Sequence, residues 1–157
     1  MIKSLSATVW AIGILTVNLS YPELTYANPQ ASQVQQSRLF EQILPYYIQI
    51  QSALSTDSLQ GVKEAALAIR QIDRSRSIQE IENSTLKLEK ANSLPEARKG
   101  FKALSEPLVE WVKKERPAGL SIIYCPMAGA KWVQKEGNIS NPYYGKDMLN
   151  CGEKLTF

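Results

Sequence analysis

The sequence predicts a mainly α protein: an antiparallel up-and-down four-helix bundle with a small C-terminal β-rich appendix. Three observations predict it. Four apolar stripes recur at helical spacing between residues 37 and 116, with short polar breaks between them. The period then changes, and β-branched and aromatic residues cluster after Pro117-Ala118-Gly119. The composition, 44% hydrophobic and 21% charged, is that of one ordinary folded domain.

The first residues read as a targeting segment. Lys3 supplies a short positive start, Ala7 to Leu19 is apolar, and Thr25-Tyr26-Ala27 resembles a small-x-Ala cleavage site. The apolar run is too short for a comfortable membrane span. Residues 1–27 are therefore expected to be a signal peptide, and 28–157 a single helical domain with no membrane span after cleavage. Lys3 and Glu23 would leave together, so the charge stays at +3. The expected location is periplasmic or secreted, where disulfides persist.

Residues 28 to 36 are polar and read as frayed. From Ser37, Leu39, Ile43, Tyr46, Ile50 and Leu54 mark the inner face of a first helix. Pro45 lacks an N–H, so a kink or restart is expected there, with Tyr46 in the core. Asp57 with Gln60 fits a capping box opening a second helix, whose inward residues are Leu59, Val62, Ala66, Ile69 and Ile72. Residues 73–76 read as a solvated charged turn. Ser77 and Glu80 form another capping box, opening a third helix with Ile78, Ile81, Thr85 and Leu88 on one side. Ser93-Leu94-Pro95-Glu96 opens the fourth, with proline in the tolerant first turn. Its stripe is Ala97, Phe101, Leu104, Leu108, Trp111 and Val112, with Pro107 in its path. Lys113, Lys114 and Arg116 suit the helix's negative end.

The tail, 120–157, reads as strands at Leu120–Tyr124, Trp132–Gln134 and Lys154–Phe157, joined by turns at Gly129, Glu136-Gly137-Asn138 and Asn141-Pro142. It is too small to fold without the helices, a cross-link or a metal.

Absent residues exclude several functions. There is no histidine, so His-based acid–base catalysis, Ser-His or Cys-His nucleophiles and mixed His metal sites are out. No basic run or nucleic-acid signature is present, and no nucleic-acid partner is expected. C-x-x-C is missing, which disfavours a thioredoxin-like enzyme. No enzymatic function is expected.

The chemistry concentrates in four sulfurs. Cys125 and Cys151 are the only cysteines. Met127 lies two residues after the first and Met148 three before the second. Two readings stand open. A Cys125–Cys151 disulfide would close a loop of about 27 residues and contribute about 3 kcal/mol by loop entropy, with the methionines as core filler. The chain would then be an interaction module with a stapled tail. Alternatively, Cys125, Met127, Met148 and Cys151 form a soft-metal site. Thiolates and thioethers select Cu(I), or Ag(I) as its mimic, whereas structural zinc rarely takes methionine. Tyr124, Trp132, Tyr143 and Tyr144 surround these sulfurs in sequence, where they would shield a bound ion, contact a partner, or pack the tail onto the helices.

The segment Y-C-P-M-A from Tyr124, followed by I-S-N-P-Y-Y-G-K-D-M-L-N-C-G-E from Ile139, resembles the signature of the domain of unknown function 3347 family. Ser93 to Leu108, and Tyr47 with Ala53 to Leu59, resemble the helices upstream of that signature. Members of that family occur as stand-alone exported proteins and as C-terminal modules of periplasmic adaptors in copper/silver-type efflux pumps. The resemblance implies a periplasmic component of a heavy-metal efflux system as partner and a role in heavy-metal resistance or delivery. It also implies that Asn141, Pro142, Gly145 and Gly152 supply turn geometry that brings the sulfur pairs together.

Overall fold

The computed structural model describes residues 29–74 and 78–156. The expected signal peptide and the Ser77 cap lie outside them. The described chain is mainly helical and ends in a small three-stranded antiparallel sheet.

Helix α1 spans Pro29–Ser55 without a break. It begins eight residues before Ser37, where the sequence reading starts it, and Pro45 neither stops nor restarts it. Pro45 is exposed, so the carbonyl it leaves unpaired lies on the solvent side. The inner face is Leu39, Phe40, Ile43, Tyr47, Ile50 and Leu54. Tyr47, not Tyr46, is the core tyrosine. Four residues after Ile43 and three before Ile50, it stays on the stripe, while Tyr46 is turned aside and half-buried.

Helix α2 spans Val62–Asp73 and buries Val62, Ala65, Ala66 and Ile69, with Leu59 and Ile72 at the edge of the core. The expected Asp57 capping box is absent. Gly61, in the left-handed region at φ 77°, precedes the helix without a side-chain cap, and Asp57 is used elsewhere. Helix α3, Gln79–Lys90, buries Ile81, Ser84, Thr85 and Leu88. Asp73, expected in a solvated turn, instead ends α2 and is 2% exposed, its carboxylate accepting the Ile78 N–H at 3.2 Å; Ser75 and Arg76 of that expected turn lie outside the described residues.

Helix α4, Leu94–Glu115, starts as its sequence dictates. Ser93 Oγ accepts the Glu96 N–H at 3.4 Å, and the Glu96 carboxylate accepts the Asn92 N–H at 2.8 Å. All six stripe residues are buried and Pro107 stays within the helix. Helix α2 packs between α1 and α3, α3 packs on α4, and α4 returns to α1.

Strand β1, Leu120–Cys125, is central in the order β2-β1-β3. Strand β2, Ala130–Lys135, pairs along its length, from Leu120 opposite Lys135 to Cys125 opposite Ala130. Strand β3 is only Glu153–Lys154, shorter and earlier than expected, and faces Tyr124 and Ile123. Successive residues Ile122–Ile123 and Trp132–Val133 are buried, so both faces of the β1–β2 ribbon are covered. The sheet is therefore part of the core rather than an appendage. Helix α4 packs on β2, and α1 touches it.

A buried polar chain locks this junction. The Val133 N–H donates to the Tyr47 hydroxyl at 3.1 Å, and the Ser105 hydroxyl donates to the Phe101 carbonyl at 2.9 Å. Ser105 thus has its proton committed, and Tyr47 donates to Ser105 Oγ at 2.8 Å. Burial pushes the Tyr47 phenol above its ordinary pKa, so it stays a neutral donor. Its ring stacks on Phe101 at 4.8 Å. One hydroxyl thereby joins α1, α4 and β2.

Candidate functional site

Cys125 ends β1, and the four-residue turn that follows reverses the chain into β2. Gly129 takes φ 53° there, and its N–H donates to the Pro126 carbonyl at 3.1 Å. Cys151 arrives from the other side. After Asn141-Pro142 the chain makes a short 3-10 turn at Gly145–Met148, then runs through Cys151 into β3. The two sulfurs, 26 residues apart in sequence, stand 3.5 Å apart, and both thiols are free. Cys125 is fully buried and Cys151 half-buried.

Asn141 organises this approach. It is 0% exposed, and its Nδ2 donates to the Cys151 carbonyl at 2.8 Å. Its Oδ1 accepts the N–H groups of Tyr143 and Tyr144, at 2.8 and 3.3 Å. Its own N–H donates to the Leu149 carbonyl at 2.8 Å. The segment carrying Met148 and Cys151 is thus folded around one amide side chain. Gly152 then passes so close to β1 that a Cβ there would lie 2.6 Å from Ile123 Cγ2 and 3.0 Å from the Trp132 ring. A larger residue there would have to push the Ile123 or Trp132 side chain aside.

A second anchor holds the 3-10 turn. Asp57, itself at φ 59°, accepts Arg98 Nη2 at 2.6 Å and the Lys146 N–H at 3.0 Å. Arg98 also donates through Nε to the Pro142 carbonyl at 3.0 Å and through Nη2 to the Leu54 carbonyl at 3.4 Å. Gly145 lies against this pair at φ 56°, and a Cβ there would overlap the Asp57 carboxylate. The N–H of Lys146, opposed by partial burial and aided by the Arg98 guanidinium, holds the Asp57 carboxyl below its usual pKa.

The thiols are electrostatically unequal. Burial works against a Cys125 thiolate, but the Ala128 N–H, the Cys151 thiol, the Asn141 amide and the Met127 N–H outweigh it and hold Cys125 below the ordinary thiol value. Its hydrogen bond to Cys125 pushes Cys151 up, with burial and the charges of Cys125 and Glu153 adding to it. The pair therefore loses its first proton as a unit, with the charge on Cys125 and the remaining proton on Cys151.

The methionines are less tightly gathered. Met127 is 65% exposed on the turn after Cys125, and its carbonyl accepts the Tyr144 hydroxyl at 3.2 Å. Met148 is half-buried at the end of the 3-10 turn. Among the described residues no group of three or more His, Cys, Asp or Glu side chains gathers. The aromatics divide. Trp132 is fully buried, its indole N–H on Gln134 Oε1 at 3.1 Å. Tyr143 packs edge-on against it, with ring centroids 5.8 Å apart, and donates to the Lys131 carbonyl at 2.7 Å. These two hold the tail on the helices. Tyr144 ties the 3-10 segment to the Cys125 turn. Tyr124 lines a groove of about 470 Å³ beside that turn, with Lys102, Glu106, Glu110 and Lys131.

The chain matches no protein-family model, no curated protein and no solved structure. Its function has to be read from this geometry.

The donor chemistry suits a soft ion. Two thiolates bound to one ion at about 2.3 Å in tetrahedral geometry are about 3.8 Å apart, close to the separation found here. Backbone N–H groups aimed at a sulfur stabilise the anionic form that a metal requires. Asp57, Arg98 and Asn141 carry the site's support, yet sequence reading took Asp57 for a helix cap and passed over Arg98. Their partners lie far along the chain, and no local spacing announces them.

Proposed function

We propose that this chain is an exported, periplasmic or secreted, non-enzymatic protein that binds a soft monovalent ion, Cu(I) or Ag(I), in heavy-metal resistance or delivery to an efflux system. Cys125 and Cys151 anchor the ion, and Met127 and Met148 supply thioethers. The observation that carries this reading is the 3.5 Å approach of two free thiols. When bound, the ion would supply affinity and cargo rather than a reaction. Kinship with the domain of unknown function 3347 family, and with it the efflux partner, belongs to the same proposal and rests on the Tyr124 and Ile139 segments. The finer architecture, an antiparallel up-and-down bundle, is supported by the cyclic order of helix neighbours and the short connections between them.

The same approach of sulfurs favours one second reading, a permanent Cys125–Cys151 staple in a non-metal interaction module. Competition for Cu(I) against a chromophoric chelator separates the two. The reduced chain withdraws one equivalent of copper, and the Cys125→Ser, Cys151→Ser double variant withdraws none. Equal behaviour of the two proteins would leave the stapled module.

A further inference from the structure

The two sulfurs differ in what can reach them. Cys125 is 0% exposed at the inner end of β1, behind the Pro126–Gly129 turn. Cys151 is half-buried between the 3-10 turn and the two-residue strand β3, both of whose residues are exposed. A disulfide needs sulfurs at about 2.05 Å, so closure from 3.5 Å is a movement of about 1.5 Å. Cys125 lies in the long β1–β2 ladder. Cys151 lies in a turn held by the Asn141 amide and by its own N–H on the Met148 carbonyl at 3.0 Å. Cys151 is therefore the sulfur that solvent species meet.

We propose that Cys125 and Cys151 form a thiol–disulfide switch entered through Cys151, which opens and closes the soft-metal site. The metal half of this statement rests on the function proposed above; the exchange chemistry does not. In the closing direction Cys151 passes its proton to the Cys125 thiolate 3.5 Å away, and the Cys151 thiolate so formed attacks one sulfur of a low-molecular-weight disulfide, RSSR. The RS–SR bond breaks, RS⁻ leaves, and a Cys151–S–S–R bond forms. The Cys125 thiolate then attacks the Cys151 sulfur and expels the second RS⁻. Two cysteine thiols are oxidised to one disulfide, one RSSR is reduced to two RSH, and the two cysteine protons end on the two leaving thiolates. In the opening direction an external thiolate attacks the Cys151 sulfur, because the other is out of reach, and Cys125 leaves. The inner sulfur departs as the thiolate that the neighbouring Ala128 and Met127 N–H groups favour. Closed, the pair offers a metal no thiolate; open, it offers two. C-x-x-C spacing is dispensable because the fold brings two distant residues into the same relation.

The test uses glutathione disulfide on the reduced, metal-free chain and its single cysteine variants, with acid quenching and intact mass. Cys125→Ser retains the outer thiol and accumulates one glutathione adduct. Cys151→Ser retains the inner thiol and reacts at least about tenfold more slowly while folded, yet at the same rate in denaturant. Wild type passes through the adduct and ends lighter by two hydrogens. Equal rates for the two folded variants, or a wild type that stops at the adduct, would overturn the proposal. The oxidised and reduced chains are then compared in the Cu(I) competition. Uptake by the reduced chain alone supports the gate. Uptake by both keeps the metal reading and overturns the gate. Exchange without uptake by either overturns the metal reading, and the gate with it.

Discussion

Asp57 and Arg98 meet at 2.6 Å across 41 residues, and the second oxygen of the same carboxylate holds the backbone of Lys146. A turn between two helices, the face of a third and the segment leading to Cys151 are thus fixed at one point. The outer sulfur is positioned through this pair, although neither residue touches it.

Replacing the Asp57 carboxylate by an amide leaves one acceptor oxygen for two donors, Arg98 and the Lys146 N–H, and removes the counter-charge of Arg98. Asp57→Asn is expected to lower the thermal midpoint at pH 7. The sign with pH follows from the depressed pKa. The stabilisation is present above the carboxyl's unfolded value, near 4, and is lost as pH falls through the lower folded value. Thermal melts of both proteins should therefore converge as pH drops from 5 to about 2. A gap that stays constant would show that the charge is not what stabilises.

Gly145→Ala forces a side chain into the left-handed region and against that carboxylate. A cost above about 1 kcal/mol is expected in urea unfolding, with faster alkylation of Cys151 in the folded state. Unchanged alkylation would mean that the 3-10 turn does not hold the outer sulfur.

Tyr47→Phe keeps the ring against Phe101 but deprives the Val133 N–H of its acceptor and Ser105 of its donor. The expected loss is about 1–3 kcal/mol, read as a lower urea midpoint at unchanged slope. Tyr46→Phe removes the hydroxyl of a half-buried residue outside this chain and should change stability by less than about 0.5 kcal/mol.

For the metal, losing an anchoring thiolate should weaken Cu(I) binding by more than the roughly 10–100-fold typical of outer-shell changes. Cys125→Ser and Cys151→Ser are each expected to exceed that range in chelator competition. Met148→Leu and Met127→Leu should weaken binding less and leave the thermal midpoint of the metal-free protein unchanged. Neutral methionine variants would reduce the site to its two thiols.

Much of the fold was legible in the sequence because burial follows a local period. The stripe from Ala97 to Val112 and the Ser93 cap are set by residues within a few turns of one another. Tyr46 and Tyr47 show where the period blurs. Neighbours differ by only about 100° around a helix, and the choice fell to partners on α4 and β2. Asp57 is the clearer case. Its spacing to Gln60 fits a cap, while its actual bonds reach Arg98 and Lys146, which no window contains. At the site, only two cysteines exist and the tail between them is short, so the approach of their sulfurs was legible. The exposure of Met127 was not, because it depends on how the Pro126–Gly129 turn projects from the sheet.

The most direct measurement is the native intact mass of the protein, purified without reductant from copper-supplemented cells, with a count of alkylatable thiols. The account predicts a copper adduct whose two cysteines become alkylatable only after the metal is stripped. A metal-free chain lighter by two hydrogens that takes no alkyl group, and still takes no copper after reduction, would contradict it.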